Sequence, residues 1–258
     1  MSSSTVHIGI DLACARGKAL PICVISAGPP VMPLRIPDEM AALIPRGMGN
    51  REINSTVPFR EAARGVAAAI SRILSEMNWA VERIAVDAPA APPTTGARAS
   101  ENQLGSAGLS SFRTPPATRW GDIREACVKH LEIGGSSATL PYANKLWMLF
   151  GFELFAALRL ELQAEVMEVY PFAIVRALLP SCAHKSTPEG YRDQLAAIAA
   201  RTGWEPQALE AQLKLTVLGS RHDRLDAFMA VWVASLPPDR RRAFGDARNP
   251  DDAIWVPL

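Results

Sequence analysis

Apolar and polar positions divide this chain into short, mostly apolar runs and longer stretches with a three- and four-residue rhythm. Val6 to Ala13 is a run of strand length that reads as buried on both faces, and Leu20 to Ser26 is a second. "ARGK" between them reads as a tight hairpin connection, so the sheet is expected to open antiparallel. Val31 to Ile36 offers a third strand, against which Pro33 argues because it cannot donate to a ladder. From Phe59 to Met77, Phe59, Ala62, Val66, Ile70, Ile73, Leu74 and Met77 recur at helical steps with charged residues between them. This amphipathic helix leads into "VERIAVDAP", an apolar run that stops at Asp87. Strand, helix and strand in that order predict a parallel pair with a covering helix, and hence an α/β fold.

Beyond Asp87 the rhythm lapses. Ala88 to Trp120 is rich in Pro, Gly, Ser and Thr, which inside a compact chain suggests a functional loop or lid. Helical spacing returns at Gly121–Leu131 and Ala143–Leu162. A strand follows at Ala164–Tyr170, stopped by Pro171, and then a short helix at Phe172–Leu179. Two further helices are expected at Glu189–Thr202 and Pro206–Lys214, the second with proline at a first-turn position that suits its fixed φ. In the last helix Ser220 is a plausible cap. Leu225, Phe228, Met229, Trp232, Val233 and Leu236 form one stripe, and Pro237 and Pro238 end it. We read residues 1–258 as a single domain with a lid-like loop at about 88–120 and a helical insertion at about 186–218.

Composition narrows the function classes. The 258 residues are 48% hydrophobic and 21% charged, enough for one sizeable core. A net charge of +1 predicts no long-range field toward nucleic acid or membrane, so any nucleic-acid site must be a local patch. Cys14, Cys23, Cys127 and Cys182 make no CxxC pair, which argues against a zinc cluster or disulfide framework and for reduced thiols in the cytoplasm. "MSSST" lacks a basic region and an apolar core, so no secretory signal is expected. The most apolar segment, Lys145 to Leu162, carries Glu153 and Arg159 and falls short of the roughly 20 apolar residues that cross a bilayer; it reads as a core helix.

The candidate chemistry is acidic. Asp11, Asp87 and Glu168 each stand where an apolar strand gives way to a loop, and Asp223 and Asp226 lie on neighbouring turns of the last helix. In open α/β sheets the ends of adjacent strands meet at one edge, so these groups can converge. Two carboxylates 4 Å apart repel by roughly 4 kcal/mol at an effective dielectric of about 20. A convergent set therefore needs a cation. Hard oxygen ligands with few histidines favour Mg²⁺ or Mn²⁺ over zinc, and two such ions suit phosphodiester cleavage. Each acid also has a structural reading: strand-end aspartates form turns or caps, and Asp223 suits the positive end of its helix dipole. His222 and Lys185 are candidates to contact water or phosphate, as are Arg98, Arg113 and Arg119 of the lid. Arg240, Arg241 and Arg242, the one dense basic run, read as solvated surface. The GxxxxGK[ST] spacing of a P-loop and the GxSxG elbow are both absent from the sequence.

Laid out in order, several motifs carry a resemblance. They are "GIDLA" at Gly9–Ala13, "IAVDAP" at Ile84–Pro89, "RASENQLGSAGLSSFRTPP" at Arg98–Pro116 and "EVYPFAIVRALL" at Glu168–Leu179, then His184 with Lys185, and "HDRLDAFMAVWVA" at His222–Ala234. The chain resembles the ribonuclease H-like superfamily and, within it, the family labelled domain of unknown function 429, described as predicted nucleases. The resemblance implies a mixed sheet that opens with an antiparallel hairpin and is flanked by helices, with a metal-dependent acidic site. Superfamily nucleases carry one acid on the first strand, another on a later parallel strand and one or two on a C-terminal helix, which here match Asp11, Asp87 and the Asp223/Asp226 pair. Glu168 belongs to the narrower family pattern.

The expected activity is two-metal hydrolysis of a phosphodiester in nucleic acid or a nucleotide. Asp11 would bridge both Mg²⁺ or Mn²⁺ ions and Asp87 and Asp226 would each hold one. Asp223 or Glu168 would complete a shell or position water, while Lys185, His222 and the lid arginines Arg98 and Arg113 would meet substrate. Two alternatives stand beside it. One is a nucleotide-dependent phosphotransferase of the actin and sugar-kinase class, although "DLACARGK" offers only Gly17 where those proteins have a Gly- and Thr-rich turn. The other is a catalytically silent binding module.

Overall fold

A computed structural model describes residues 3–12, 14–49, 57–109, 113–183 and 185–258. Among them are seven strands: β1 (Ser4–Asp11), β2 (Ile22–Ser26), β3 (Pro33–Leu34), β4 (Trp79–Asp87), β5 (Glu165–Val169), β6 (Arg241–Gly245) and β7 (Ala253–Pro257). They form one mixed sheet in the order β3-β2-β1-β4-β5-β7-β6. β1 pairs antiparallel with β2, the run β1-β4-β5-β7 is parallel, and β6 returns antiparallel on β7.

The helices are α1 (Asp38–Ala41), α2 (Val57–Glu76), α3 (Ala99–Ser106), α4 (Trp120–Glu132), α5 (Ala143–Glu161), α6 (Pro171–Leu178), α7 (Pro188–Thr202), α8 (Pro206–Thr216) and α9 (Arg221–Ser235). Strand alternation sorts them into two layers. Val6, Ile8, Ile10, Ile84 and Val86 point to the face covered by α2 and α5. Cys23, Ile25, Ala85 and Met167 point to the other, covered by α9 with α6, α7 and α8 around it. Each such buried aliphatic side chain contributes about 1.5–3 kcal/mol relative to exposure. No helix among the described residues is long and apolar enough to cross a membrane.

Gly9 sets how closely the second layer lies. A Cβ there would fall 2.2 Å from the carbonyl oxygen of Ala227 and 2.4 Å from the amide nitrogen of Val231. Only a glycine lets the α9 backbone rest directly on β1, and that contact lies one residue from Asp226.

Several sequence expectations are corrected. β1 stops at Asp11 and β2 starts at Ile22, so "ARGK", although it closes a tight turn in which Lys18 N–H donates to the Ala15 carbonyl at 3.0 Å, is only part of a longer connection between the strands. The connection makes a wider excursion because its backbone bonds to another segment: Gly17 N–H donates to the Gly47 carbonyl at 2.7 Å and Gly47 N–H to the Lys18 carbonyl at 2.8 Å. Ala13 lies outside the described residues. The stretch 88–120, expected as a lid-like loop, contains the regular helix α3, packed on β6, and ends in the start of α4. Of the arginine run, read as solvated, Arg240 and Arg242 are exposed, but Arg241 and Arg242 open β6, which forms an unexpected hairpin with β7. Within it Arg241 is buried, stacked 4.7 Å from the Trp255 ring centroid and 3.5 Å from the Glu165 carboxylate. The expected third strand shrinks to Pro33–Leu34 at the sheet edge, where a missing N–H costs least.

Candidate functional site

The parallel register of β1 and β4 places Asp11 opposite Asp87 at the carboxyl ends of both strands. Asp226 reaches the same place from α9, whose start is fixed by a capping box: Ser220 N–H donates to Asp223 Oδ2 at 3.2 Å and Asp223 N–H to Ser220 Oγ at 3.5 Å. Asp226 follows one turn in, on the side turned to the sheet, and is 2% exposed. One carboxylate oxygen from each of Asp11, Asp87 and Asp226 lies within 4.8 Å of the other two. Three segments distant in sequence thus bring negative oxygens to one point.

That convergence is paid for in protonation. Burial, then the charges of Asp226 and Asp87, push the Asp11 carboxyl well above its ordinary range. Burial and Asp226 push Asp87 up to about 7, against the pull of Lys185. Burial also raises Asp226, opposed chiefly by Lys185, whose ammonium donates directly to its Oδ2. For Lys185 itself burial works the other way, but Asp226, Asp87 and Asp11 outweigh it and hold the ammonium above its ordinary pKa. One lysine thus partly offsets a cluster of three acids.

The donor set fits a hard divalent cation. All three nearest ligand atoms are carboxylate oxygens. A soft group in the wall of the cavity that Asp11 lines, the Cys14 thiol, is held up to about 12 by burial and by Asp11, so it stays protonated and is a poor ligand.

Asp11 and Asp87 open into a cavity of about 610 Å³ whose wall includes Lys18, Lys185, Trp147, Tyr170 and Phe172. Sequence reasoning missed Lys18 and the three aromatics. Lys18 was legible only as a cation seven residues after Asp11. In the fold its ammonium lies 2.8 Å from Asp223 Oδ2, and this bond with the Ser220 bonds overcomes burial to lower the Asp223 pKa. Asp223 therefore caps α9 and holds Lys18, outside the three-acid cluster.

Other sequence candidates sit elsewhere. Glu168 pairs in register with Val86, one step before the strand end. Its two oxygens accept from Arg98 Nη1 and Nη2 at 2.8 and 2.6 Å, and Oε2 also accepts from Ala90 N–H at 2.8 Å. Arg98, expected to face phosphate, is 2% exposed and further donates to the Asp251 carbonyl at 3.0 Å. This pair ties the segment after Asp87 to β5 and to the residues just before β7. Arg113 is exposed, donating to Asn102, and Arg119 meets Asp122 at 3.4 Å on the surface. His222 stacks edge-on against Tyr191 at 5.0 Å, and burial with nearby Arg221 and Lys185 keeps it from protonating at its usual pH. His184 lies outside the described residues.

No curated protein and no solved structure matches the chain. A family model does: it covers residues 46–252, a span that holds Asp87, Lys185 and Asp226 and begins after Asp11. The chain belongs to that family, the protein of unknown function DUF429.

Proposed function

We propose that this chain is a single ribonuclease H-like domain that hydrolyses a phosphodiester in nucleic acid or a nucleotide with Mg²⁺ or Mn²⁺. The observation that carries the reading is the meeting of Asp11, Asp87 and Asp226 oxygens within 4.8 Å, with all three carboxyls pushed toward protonation. The order β3-β2-β1-β4-β5, with an antiparallel start, parallel continuation and a C-terminal helix bearing Asp226, supports the ribonuclease H-like assignment. The β7-β6 hairpin is then an extension of that core.

Asp11, Asp87 and Asp226 would hold two ions, with Asp11 shared. When bound, such ions supply Lewis acidity toward a phosphoryl oxygen and a more acidic water. The chain's own groups do the rest. Lys185, beside Asp226, would neutralise a phosphate oxygen as the carboxylates turn to metal. Tyr170, its hydroxyl held up to about 12 by burial and then by Asp87, stays a hydrogen-bond donor at the cavity wall. Asp223 keeps Lys18 at the rim. The test is cleavage of labelled oligonucleotides in Mn²⁺. Asp11→Asn should abolish it while the circular dichroism spectrum is kept, and unchanged turnover in that variant would reject the assignment.

A further inference from the structure

The cavity is lined by two kinds of group that a metal centre alone does not require. Trp147 enters from α5, and Tyr170 and Phe172 flank Pro171 at the junction of β5 and α6. All three are partly exposed. Trp147 is held by its indole N–H, which donates to the Asn144 carbonyl at 2.9 Å. The Tyr170 and Phe172 rings are tilted against each other at 6.0 Å, and Pro171 at the first helical position fixes the backbone between them. The same cavity presents Lys18 and Lys185 beside the acids. Rigid aromatic faces next to a pair of ammonium groups are what an unpaired base and its phosphates need: the rings stack on a base of any sequence, and the cations meet the backbone.

We propose that the cavity takes an unpaired nucleotide, its base against Trp147, Tyr170 and Phe172 and its phosphate at the acids and lysines. The volume agrees, since about 610 Å³ lies within the range of pockets that enclose a small organic ligand. Charge agrees as well. A duplex keeps its bases stacked inside and is held through many phosphate contacts on a broad basic face, whereas this chain has a net charge of +1. Its cations at the site are local. The proposal rests on the hydrolase reading for the fate of the phosphodiester, while recognition of the base stands on the aromatic wall.

The experiment measures binding, separately from cleavage. The full chain carrying Asp11→Asn is titrated into fluorescein-labelled single-stranded DNA, single-stranded RNA and a duplex of the same sequence, in Mg²⁺, with fluorescence anisotropy as the readout. Single strands should bind at least tenfold more tightly than the duplex. Adding Trp147→Leu or Phe172→Leu should weaken single-strand binding roughly tenfold without loss of the thermal transition. Competition with a mononucleotide separates the sources. Equal affinity identifies a free nucleotide as the ligand, and much weaker competition identifies a strand; both support the proposal. Quenching of intrinsic tryptophan fluorescence by saturating single strand provides a second readout if a leucine variant fails to fold. Duplex binding as tight as single-strand binding, leucine variants that bind like their parent, or no quenching would each overturn it. Aromatic-dependent binding by a wild-type chain that cleaves nothing in Mn²⁺ would instead sink the hydrolase reading and leave the recognition standing.

Discussion

Asp11 and Asp87 are register partners at the ends of adjacent parallel strands, so the sheet itself forces two carboxylates side by side. Asp226 joins them from the helix that Gly9 allows onto β1. The arrangement is unfavourable for a metal-free protein at neutral pH.

The pH dependence follows with a definite sign. Asp87 has a folded pKa of about 7, above the ordinary aspartate value of 3.8, and a raised carboxyl binds its proton more tightly in the folded state. Its stabilising contribution is complete below the unfolded pKa and is lost as pH rises through about 7. A tenfold change in proton affinity corresponds to about 1.4 kcal/mol, so a rise from 3.8 to about 7 amounts to on the order of 4 kcal/mol across that window. In EDTA, the stability of Asp87→Asn relative to wild type should therefore increase from about pH 4 to pH 7. Urea unfolding at several pH values checks this, and a difference independent of pH would show that burial and the neighbouring acids do not raise Asp87. Saturating Mn²⁺ should reduce the difference or reverse its sign, because metal binding favours the deprotonated acids.

Gly9→Ala should be strongly destabilising. Its Cβ would overlap backbone atoms of Ala227 and Val231, and backbone cannot rotate out of the way. Overpacking typically costs about 1–3 kcal/mol, and this site should fall at or beyond the upper end. Alternatively α9 lifts off β1, taking Asp226 from the cluster. Thermal unfolding reports the first outcome, and lost Mn²⁺ affinity in a folded variant reports the second. A variant with normal stability and normal metal binding would contradict the packing described.

The Arg98–Glu168 pair should behave as a buried structural clamp. Breaking one partner of a buried pair costs about 3–5 kcal/mol because it strands the other charge. Arg98→Met should therefore cost that much, and the double change Arg98→Met with Glu168→Met should recover a substantial part of it. Denaturant unfolding of Arg98→Met, Glu168→Met and the double variant checks the coupling. Equal or additive losses would contradict the clamp.

Much of this was legible in the sequence, for identifiable reasons. β1, β4 and β5 show as short apolar runs, and Pro89 and Pro171 mark where the second and third stop; the first reads as Val6 to Ala13, two residues beyond the true end at Asp11, because Leu12 and Ala13 are apolar too. Asp226 stood out because it lies beside the apolar stripe of its helix. The pairing of Glu168 with Arg98 was hidden because the two lie 70 residues apart, and such a pairing leaves no local pattern. β6 and β7 were missed because Arg241 looks solvated until Trp255 and Glu165 are placed around it. Lys18 and the aromatic wall were hidden for the same reason: their common location is a property of the tertiary fold. Asp223 followed its structural reading, a first-turn acid closing a capping box.

Above all, three separated acids should form one cation site. A crystal soaked in Mn²⁺ and measured at the manganese absorption edge tests this most directly. Anomalous peaks are expected within coordination distance of Asp11, Asp87 and Asp226, with Asp11 touching more than one peak. At saturating Mn²⁺, no anomalous density among these carboxylates, with Lys185 still seated on Asp226, would contradict it.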